Sequence, residues 1–443
     1  MKVHFIAIGG SAMHNLALAL HKKGIRVTGS DDELFEPSRS RLEEEGLLPK
    51  AEGWFPENIT SDVDAVIVGM HAKSDNPELL QAKTLGLKIF SYPEYLYEQS
   101  KEKTRVVIGG SHGKTTITAM ILHVLNDRGI TCDFMVGAQL EGFDVMVRLS
   151  DEAQIMIIEG DEYLTSPIDP RPKFHLYHPD IALLSGVAWD HINVFPTFKE
   201  YVDQFVQFTR LITPGGTLIF CDEDEVLQRI CRETDNRLTL IPYTTPPYRV
   251  EEGIAFLMTS NSSIPLRIFG RNNLLNLNGA RLVCNQLGVS DDDFYRAIES
   301  FSGASKRLQL VEKGETWAVY KDFAHAPSKV RATIEAVKEQ FPKHALVACL
   351  ELHTYSSLNE KFLHHYAGAM DQADKAIVYF NPHAITLKRL PGITPEQIIT
   401  GFNRSDLEVF NDARKLKERI TALPKDNTIL LMMSSGNFDG LND

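Results

Sequence analysis

The feature that most constrains this chain is Gly109-Gly110-Ser111-His112-Gly113-Lys114-Thr115-Thr116. It follows a buried-strand run at residues 105–108. It precedes a segment whose apolar residues, Ile117, Met120, Ile121, Val124 and Leu125, share one helical face. A phosphate needs backbone N–H donors at close range, and glycines let the main chain approach. A helix N-terminus adds partial positive charge, Lys114 a full one, and the Thr115 hydroxyl is a ligand for Mg²⁺. The strict GxxxxGK[ST] pattern is not met, because Ile108 stands five residues before Gly113, but the shorter GxxGKT is. The plain alternative is a glycine turn with a chance lysine. The strand before and the amphipathic helix after argue against it.

Strand and helix signals alternate on both sides of this loop. Strand runs at 3–8, 25–29, 65–68 and 87–90 enclose a helical segment at 12–23. Further runs fall at 155–158 and 181–184, and then at 317–320, 346–350, 376–379 and 428–432. A charged stretch at 97–103 and the Ser-Gly-Ala-Ser segment at 302–305 mark breaks. The chain has 443 residues, about three domains of ~150. The pattern predicts an α/β protein of three domains. These are a Rossmann-like domain at 1–103, a central P-loop ATPase-like domain with a mostly parallel sheet at 104–302, and a Rossmann-like domain at 303–443.

A second glycine turn follows the first strand. The dinucleotide fingerprint GxGxxG would fall on Ala7, Gly9 and Ala12, so only its middle glycine is present, although Asp31 stands near the place of a ribose-binding acid. Two carboxylate clusters follow buried strands: Glu159-Gly160-Asp161-Glu162, and Asp190-His191 after Trp189. Open α/β sheets hold ligands at such strand ends, where a carboxylate and an imidazole converging on a nucleotide would hold a second Mg²⁺. Asn272, Asn273 and Asn276 read either as a capped helix start or as amides facing a purine.

Lys plus Arg number 46 against 59 Asp plus Glu, a net charge of -13. Such a surface repels nucleic acid, so phosphate must be met by a local site. The five cysteines are scattered and form no CxxC pair, which fits a reducing compartment. No stretch approaches the ~20 apolar residues of a membrane span, and the N-terminal apolar run is too short for a signal peptide. The expectation is a cytoplasmic protein with no nucleic-acid or membrane partner.

These motifs together resemble the Mur ligases, ATP-dependent amide-bond-forming enzymes of peptidoglycan synthesis. The resemblance spans nearly the whole chain: GGSAM and GSD near the N-terminus, GGSHGKTT, EGDEY, WDH, GRNNLLN, SKR near 307 and KDFAHAP. It implies ATP and Mg²⁺, with Gly110, Ser111, His112, Gly113, Lys114, Thr115 and Thr116 at the phosphates. Thr115, Glu159 and His191 would face metal, Asn273 and Asn276 the adenine, and Arg307 the γ-phosphate. Asp322 would align the nucleotide with the third domain. Gly9, Gly10, Ser11, Ser30 and Asp31 would line the UDP-sugar site. His-Ala-Pro at 325–327 departs from the family's His-His-Pro, so His325 is assigned nothing.

Two kinds of family member act on UDP-N-acetylmuramate itself. One adds L-alanine and one, in recycling, adds the tripeptide L-Ala-γ-D-Glu-meso-diaminopimelate. Phe35-Glu36-Pro37-Ser38 resembles the second, as does the segment carrying Asp169, Arg171, Lys173, Phe174 and Tyr177. Leu352-His353-Thr354-Tyr355-Ser356 resembles the first. The balance favours the tripeptide, with His353, Ser357 and Asn359 as candidates for its groove and L-alanine as the alternative. An NAD-dependent dehydrogenase built on the first domain leaves GGSHGKTT unused, and a non-catalytic nucleotide-binding module leaves the paired acids unused. The oligomeric expectation is a monomer or homodimer.

Overall fold

The computed structural model describes residues 1–70, 72–140, 143, 145–166, 169–189, 194–234, 237–260, 262–304 and 307–441. Two compact units result: Met1–Thr244 with Asn276–Ala297, and Thr245–Leu275 with Ile298–Asp443.

The first unit holds two large sheets and a two-stranded antiparallel pair, Leu164–Ser166 with Asp169–Pro172. A four-stranded parallel sheet runs in the order Arg26–Ser30, Lys2–Ile6, Ala65–Val68, Ile89–Ser91. The first strand stops at Ile6 rather than residue 8, because Ala7 takes a left-handed φ of 66° and starts the turn. That is the conformation for which a glycine is usual, and Ala7 occupies the fingerprint's first glycine position. The predicted boundary at 97–103 lies largely within a helix, Tyr92–Ser100, started by a capping box between Ser91 and Glu94.

A seven-stranded sheet follows, in the order Thr239–Tyr243, Thr217–Cys221, Ile181–Leu184, Thr104–Gly109, Ile155–Glu159, Asp133–Met135, Val147–Arg148. Only the last strand is antiparallel. Its central members are apolar on both faces, as strands covered by helices on each side must be. Thr104–Gly109 lies between the two strands that deliver the carboxylate clusters. The chain runs out to one side of it and returns on the other. That makes the end of Thr104–Gly109 the switch point, where such sheets bind ligands.

In the second unit a six-stranded sheet runs Gln309–Lys313, Trp317–Asp322, Thr428–Met433, Ala345–Leu352, Lys375–Phe380, Glu408–Phe410, parallel except for its first strand. A three-stranded antiparallel sheet, Tyr248–Glu251, Ile254–Met258 and Ser263–Leu266, belongs to the same unit. The sequence reading left these residues in the central domain. Within this compact unit Phe269 meets Tyr320 and Phe341 edge-on at 5.5 and 5.9 Å, and Ala255 joins the same core. Aromatic pairs at this spacing add to simple burial.

Candidate active site

The GGSHGKTT loop closes the strand Thr104–Gly109 and opens the helix Lys114–Asp127. Gly110 and Gly113 both have positive φ, 126° and 79°. A Cβ on Gly110 would run into Ser185, and one on Gly113 into the Asn276 amide, so both positions require glycine for conformation and for space. Ser185 at the end of Ile181–Leu184 supports the loop by donating to the His112 carbonyl. Asp224 caps the helix Glu225–Arg232 with one oxygen and accepts from Val187 N–H at 2.7 Å with the other. Ser111 Oγ accepts from Ala188 N–H at 2.9 Å.

Lys114 Nζ donates to Gly110 O at 2.6 Å and to Glu162 Oε2 at 2.7 Å. Burial opposes its charge, but Glu162, Asp161 and Glu159 outweigh that and hold the ammonium above its usual range. Glu162 is fixed in turn by Tyr201 Oη at 3.0 Å, and Tyr201 is 2.8 Å from Ser111 Oγ. The Thr115 hydroxyl donates to Glu159 Oε1 at 2.8 Å, while Glu159 Oε2 accepts from Gly137 N–H at 2.8 Å. Asp161 pairs with Lys173 at 2.6 Å. Burial would raise its carboxyl, but Lys173 and Lys114 prevail and keep it below the ordinary carboxylate range.

Tyr201 was not among the residues singled out, Glu162 was read only as one acid of its cluster, and Lys173 only as part of a segment that resembles the recycling enzyme. The EGDE run announced that acids gather here, but spacing alone does not say which one faces the lysine. His191 lies outside the described residues.

At the first sheet, Asp31 accepts from Gly9 N–H at 2.6 Å. It is 4 % exposed, and burial, opposed by that N–H, pushes its carboxyl up to about 6. A Cβ on Gly9 would lie 2.5 Å from Leu34 Cδ2. Gly10 precedes the helix Ser11–Lys22, so Gly9, Gly10 and Ser11 form one turn with Asp31 bonded to it. Ser30 adjoins that set through its carbonyl, which accepts from Ala7 N–H at 2.9 Å and Ile8 N–H at 3.1 Å. Its hydroxyl donates to Glu78 and lies 3.3 Å from His4 Nε2, all three fully enclosed, so it braces the sheet beneath the turn.

Asn276 is packed on Gly113, beside the loop. Asn273 instead donates to Phe269 O at 2.9 Å, within its own helix start.

In the second unit, Arg307 sits over the Phe323 ring at 4.5 Å. Asp322 accepts from Leu308 N–H and Ala324 N–H, each at 2.7 Å, which ties the Arg307 segment to the strand Trp317–Asp322. Burial raises its carboxyl despite Arg307 and those donors. His325 donates from Nδ1 to Phe323 O at 2.8 Å.

The three groove candidates have local partners. Ser357 is buried and exchanges hydrogen bonds with Thr354, and Asn359 caps the helix Glu360–Leu363. His353 Nδ1 is 3.6 Å from Glu351, whose carboxylate also accepts from Phe438 N–H at 2.9 Å.

Three family models match in order: Mur ligase family, catalytic domain, at 2–104; Mur ligase middle domain at 108–284; and Mur ligase, glutamate ligase domain, at 306–436. The chain belongs to the Mur ligase family. It is therefore an ATP-dependent amide-bond-forming ligase of peptidoglycan synthesis. The UDP-N-acetylmuramate–L-alanine ligase of Carboxydothermus hydrogenoformans is 28% identical over 455 residues, spanning 99% of this chain and 95% of that protein. The one from Arthrobacter sp. is 30% identical, over 85% of this chain and 80% of that protein.

Among solved structures, a murein peptide ligase from Psychrobacter arcticus matches with a TM-score of 0.64 at 22% identity. A UDP-N-acetylmuramate–alanine ligase from Thermotoga maritima matches with a TM-score of 0.71 at 20% identity. Each covers 99% of this chain and 97% of the other. These two likenesses concern the Mur ligase fold. No described helix is long and apolar enough to cross a membrane.

Proposed function

We propose that this Mur ligase joins the carboxylate of UDP-N-acetylmuramate to the amino group of L-alanine, in the cytoplasm. The observation that carries the chemistry is the meeting of Lys114, Thr115 and Glu159 at the end of one central strand. A carboxylate does not react with an amine unaided. One of its oxygens attacks the γ-phosphorus of ATP, the bond to the β-phosphate oxygen breaks, and ADP leaves. The amine then attacks the acyl phosphate and loses a proton, and the tetrahedral intermediate expels inorganic phosphate. Loop N–H groups and Lys114 hold the polyphosphate in line and offset its charge.

Thr115 and Glu159 fit Mg²⁺ by donor chemistry, both being hard oxygen ligands. Among the described residues no group of three or more His, Cys, Asp or Glu side chains is placed to hold a metal. That suits an ion held by one or two protein oxygens plus substrate phosphates. The site also gathers three carboxylates against two ammonium groups, a net negative charge that favours a cation. When bound, Mg²⁺ would polarise the phosphoryl group and neutralise its charge. Asn276 remains the candidate beside the nucleotide, and Gly9, Gly10, Ser11 and Asp31 the candidates for the UDP-sugar. Arg307 remains a candidate for anionic substrate, steadied by Asp322.

The amine is where this reading departs from the tripeptide expected from sequence. L-alanine ligases match along nearly the full chain, and Ser357 and Asn359 spend their polar groups on local caps. The tripeptide stands as the second reading, supported by the segments at 35–38 and 169–177 that resemble the recycling enzyme. Phosphate release from ATP with UDP-N-acetylmuramate and either amine tests both. Release with neither amine would defeat the proposal.

A further inference from the structure

We propose that Lys173 binds the reacting carboxylate of the UDP-sugar substrate and brings it to the nucleotide. This rests on the reading of UDP-N-acetylmuramate as the acyl substrate.

Both parallel sheets of the first unit present a ligand edge at their carboxyl ends. On the four-stranded sheet that edge carries Asp31, after Arg26–Ser30, and Glu94, just after Ile89–Ser91. On the seven-stranded sheet it carries Lys114 and Asp161. One element touches both edges. The antiparallel pair Leu164–Ser166 and Asp169–Pro172 sends Arg171 to Glu94 at 3.3 Å, and the next residue but one, Lys173, to Asp161 at 2.6 Å. A substrate with its nucleotide on the first edge and its carboxylate on the second passes along this pair.

The backbone around Lys173 is fixed. Lys173 N–H donates to Tyr163 O and Phe174 N–H to Asp161 O, each at 3.0 Å. Arg171 is clamped by Asp169 at 2.7 Å as well as by Glu94, which holds the strand in place. Lys173 is thereby presented from a rigid element, and its side chain keeps 24% exposure, enough for a ligand to reach it.

Electrostatics supplies the reason. An attacking carboxylate must approach a polyphosphate of the same sign beside Glu159, Asp161 and Glu162. Lys114 is committed to the loop and the phosphates. Lys173 offers a second ammonium on the side from which the UDP-sugar comes, and it attracts that anion where repulsion is greatest. Asp161 holds it in place at 2.6 Å, and the substrate carboxylate joins Asp161 in the shell of a group that has three N–H donors.

The alternative is that Lys173 only neutralises Asp161. Steady-state kinetics of Lys173→Met, Lys173→Arg and the double variant Lys173→Met/Asp161→Asn separate the two. The proposal expects Lys173→Met to raise KM for UDP-N-acetylmuramate about tenfold or more, the usual scale for a lost charge-assisted hydrogen bond. KM for ATP should stay within about twofold, which also reports an intact fold. Lys173→Arg should recover most of the loss, and the double variant none of it. A Lys173→Met enzyme with unchanged KM, an equal rise for both substrates, or recovery in the double variant would overturn the proposal. Absence of turnover by the wild type with UDP-N-acetylmuramate would overturn the functional reading itself, and this proposal with it.

Discussion

The Lys114 ammonium lies 2.7 Å from Glu162 Oε2, with the lysine side chain 15% exposed and the glutamate 1%. This pair decides what a substitution at Lys114 does. Removing the cation takes away the charge proposed to face the phosphates and also strands a buried carboxylate. Lys114→Met should therefore lower kcat by about 10³ and destabilise by up to about 3 kcal/mol. Adding Glu162→Gln should return much of the stability and none of the activity, since neighbouring charges do not act additively. Urea unfolding alongside phosphate release reads both effects. Near-normal turnover in Lys114→Met would show that the loop is not the ATP site.

Gly113 tests the loop without touching a charge. Its φ of 79° and the Asn276 amide against it leave no room for a methyl group. Gly113→Ala should cost at least about 1–2 kcal/mol from the left-handed backbone alone, and should weaken ATP binding more than UDP-sugar binding. An unfolding midpoint equal to wild type would contradict the geometry.

Glu159 and Thr115 give a prediction about metal. Their 2.8 Å contact is the place assigned to Mg²⁺. Glu159→Gln should move the Mg²⁺ concentration for half-maximal rate up by about tenfold, the lower end for a damaged ligand set, while ATP binding changes less. Superimposable Mg²⁺ titrations would remove Glu159 from the metal.

Asp31 carries a pH signature. Its carboxyl rises from 3.8 to about 6 on folding, chiefly by burial. Between those values the folded state holds more protons than the unfolded, so stability falls as pH rises across the window. Asp31→Asn should lack that fall. Thermal midpoints measured between about pH 4 and pH 7 should show a gap between wild type and variant that changes across the window. Parallel curves would mean that Asp31 titrates normally.

Much of this was readable before any coordinates. The GxxGKT loop, its flanking strands and the acids at 159–162 followed from periodicity and from where α/β sheets place ligands, and the structure puts those strands side by side. What escaped was set by long-range packing. Nothing local tells Glu162 from Asp161 as the partner of Lys114, because that depends on Tyr201 from a helix 39 residues away. Nor does the sequence tell that the Ser30 hydroxyl turns to His4 and Glu78, on the face its strand register gives it. Ser357 and Asn359 illustrate the ordinary competition between capping and binding, which composition does not resolve. Nor does the sequence show that Phe269, next to the sheet at 248–266, packs on aromatic partners at 320 and 341.

The central claim is that ATP activates the carboxylate of UDP-N-acetylmuramate as an acyl phosphate, which an amine then displaces. The direct measurement uses that substrate with ¹⁸O in its carboxylate, together with ATP, Mg²⁺ and L-alanine, and then the tripeptide in place of L-alanine. Mass analysis of the released inorganic phosphate should find one ¹⁸O carried over from the carboxylate with the amine that supports turnover, L-alanine by the reading preferred here. Phosphate released with no label during amide formation would contradict the acyl phosphate and the account built on it.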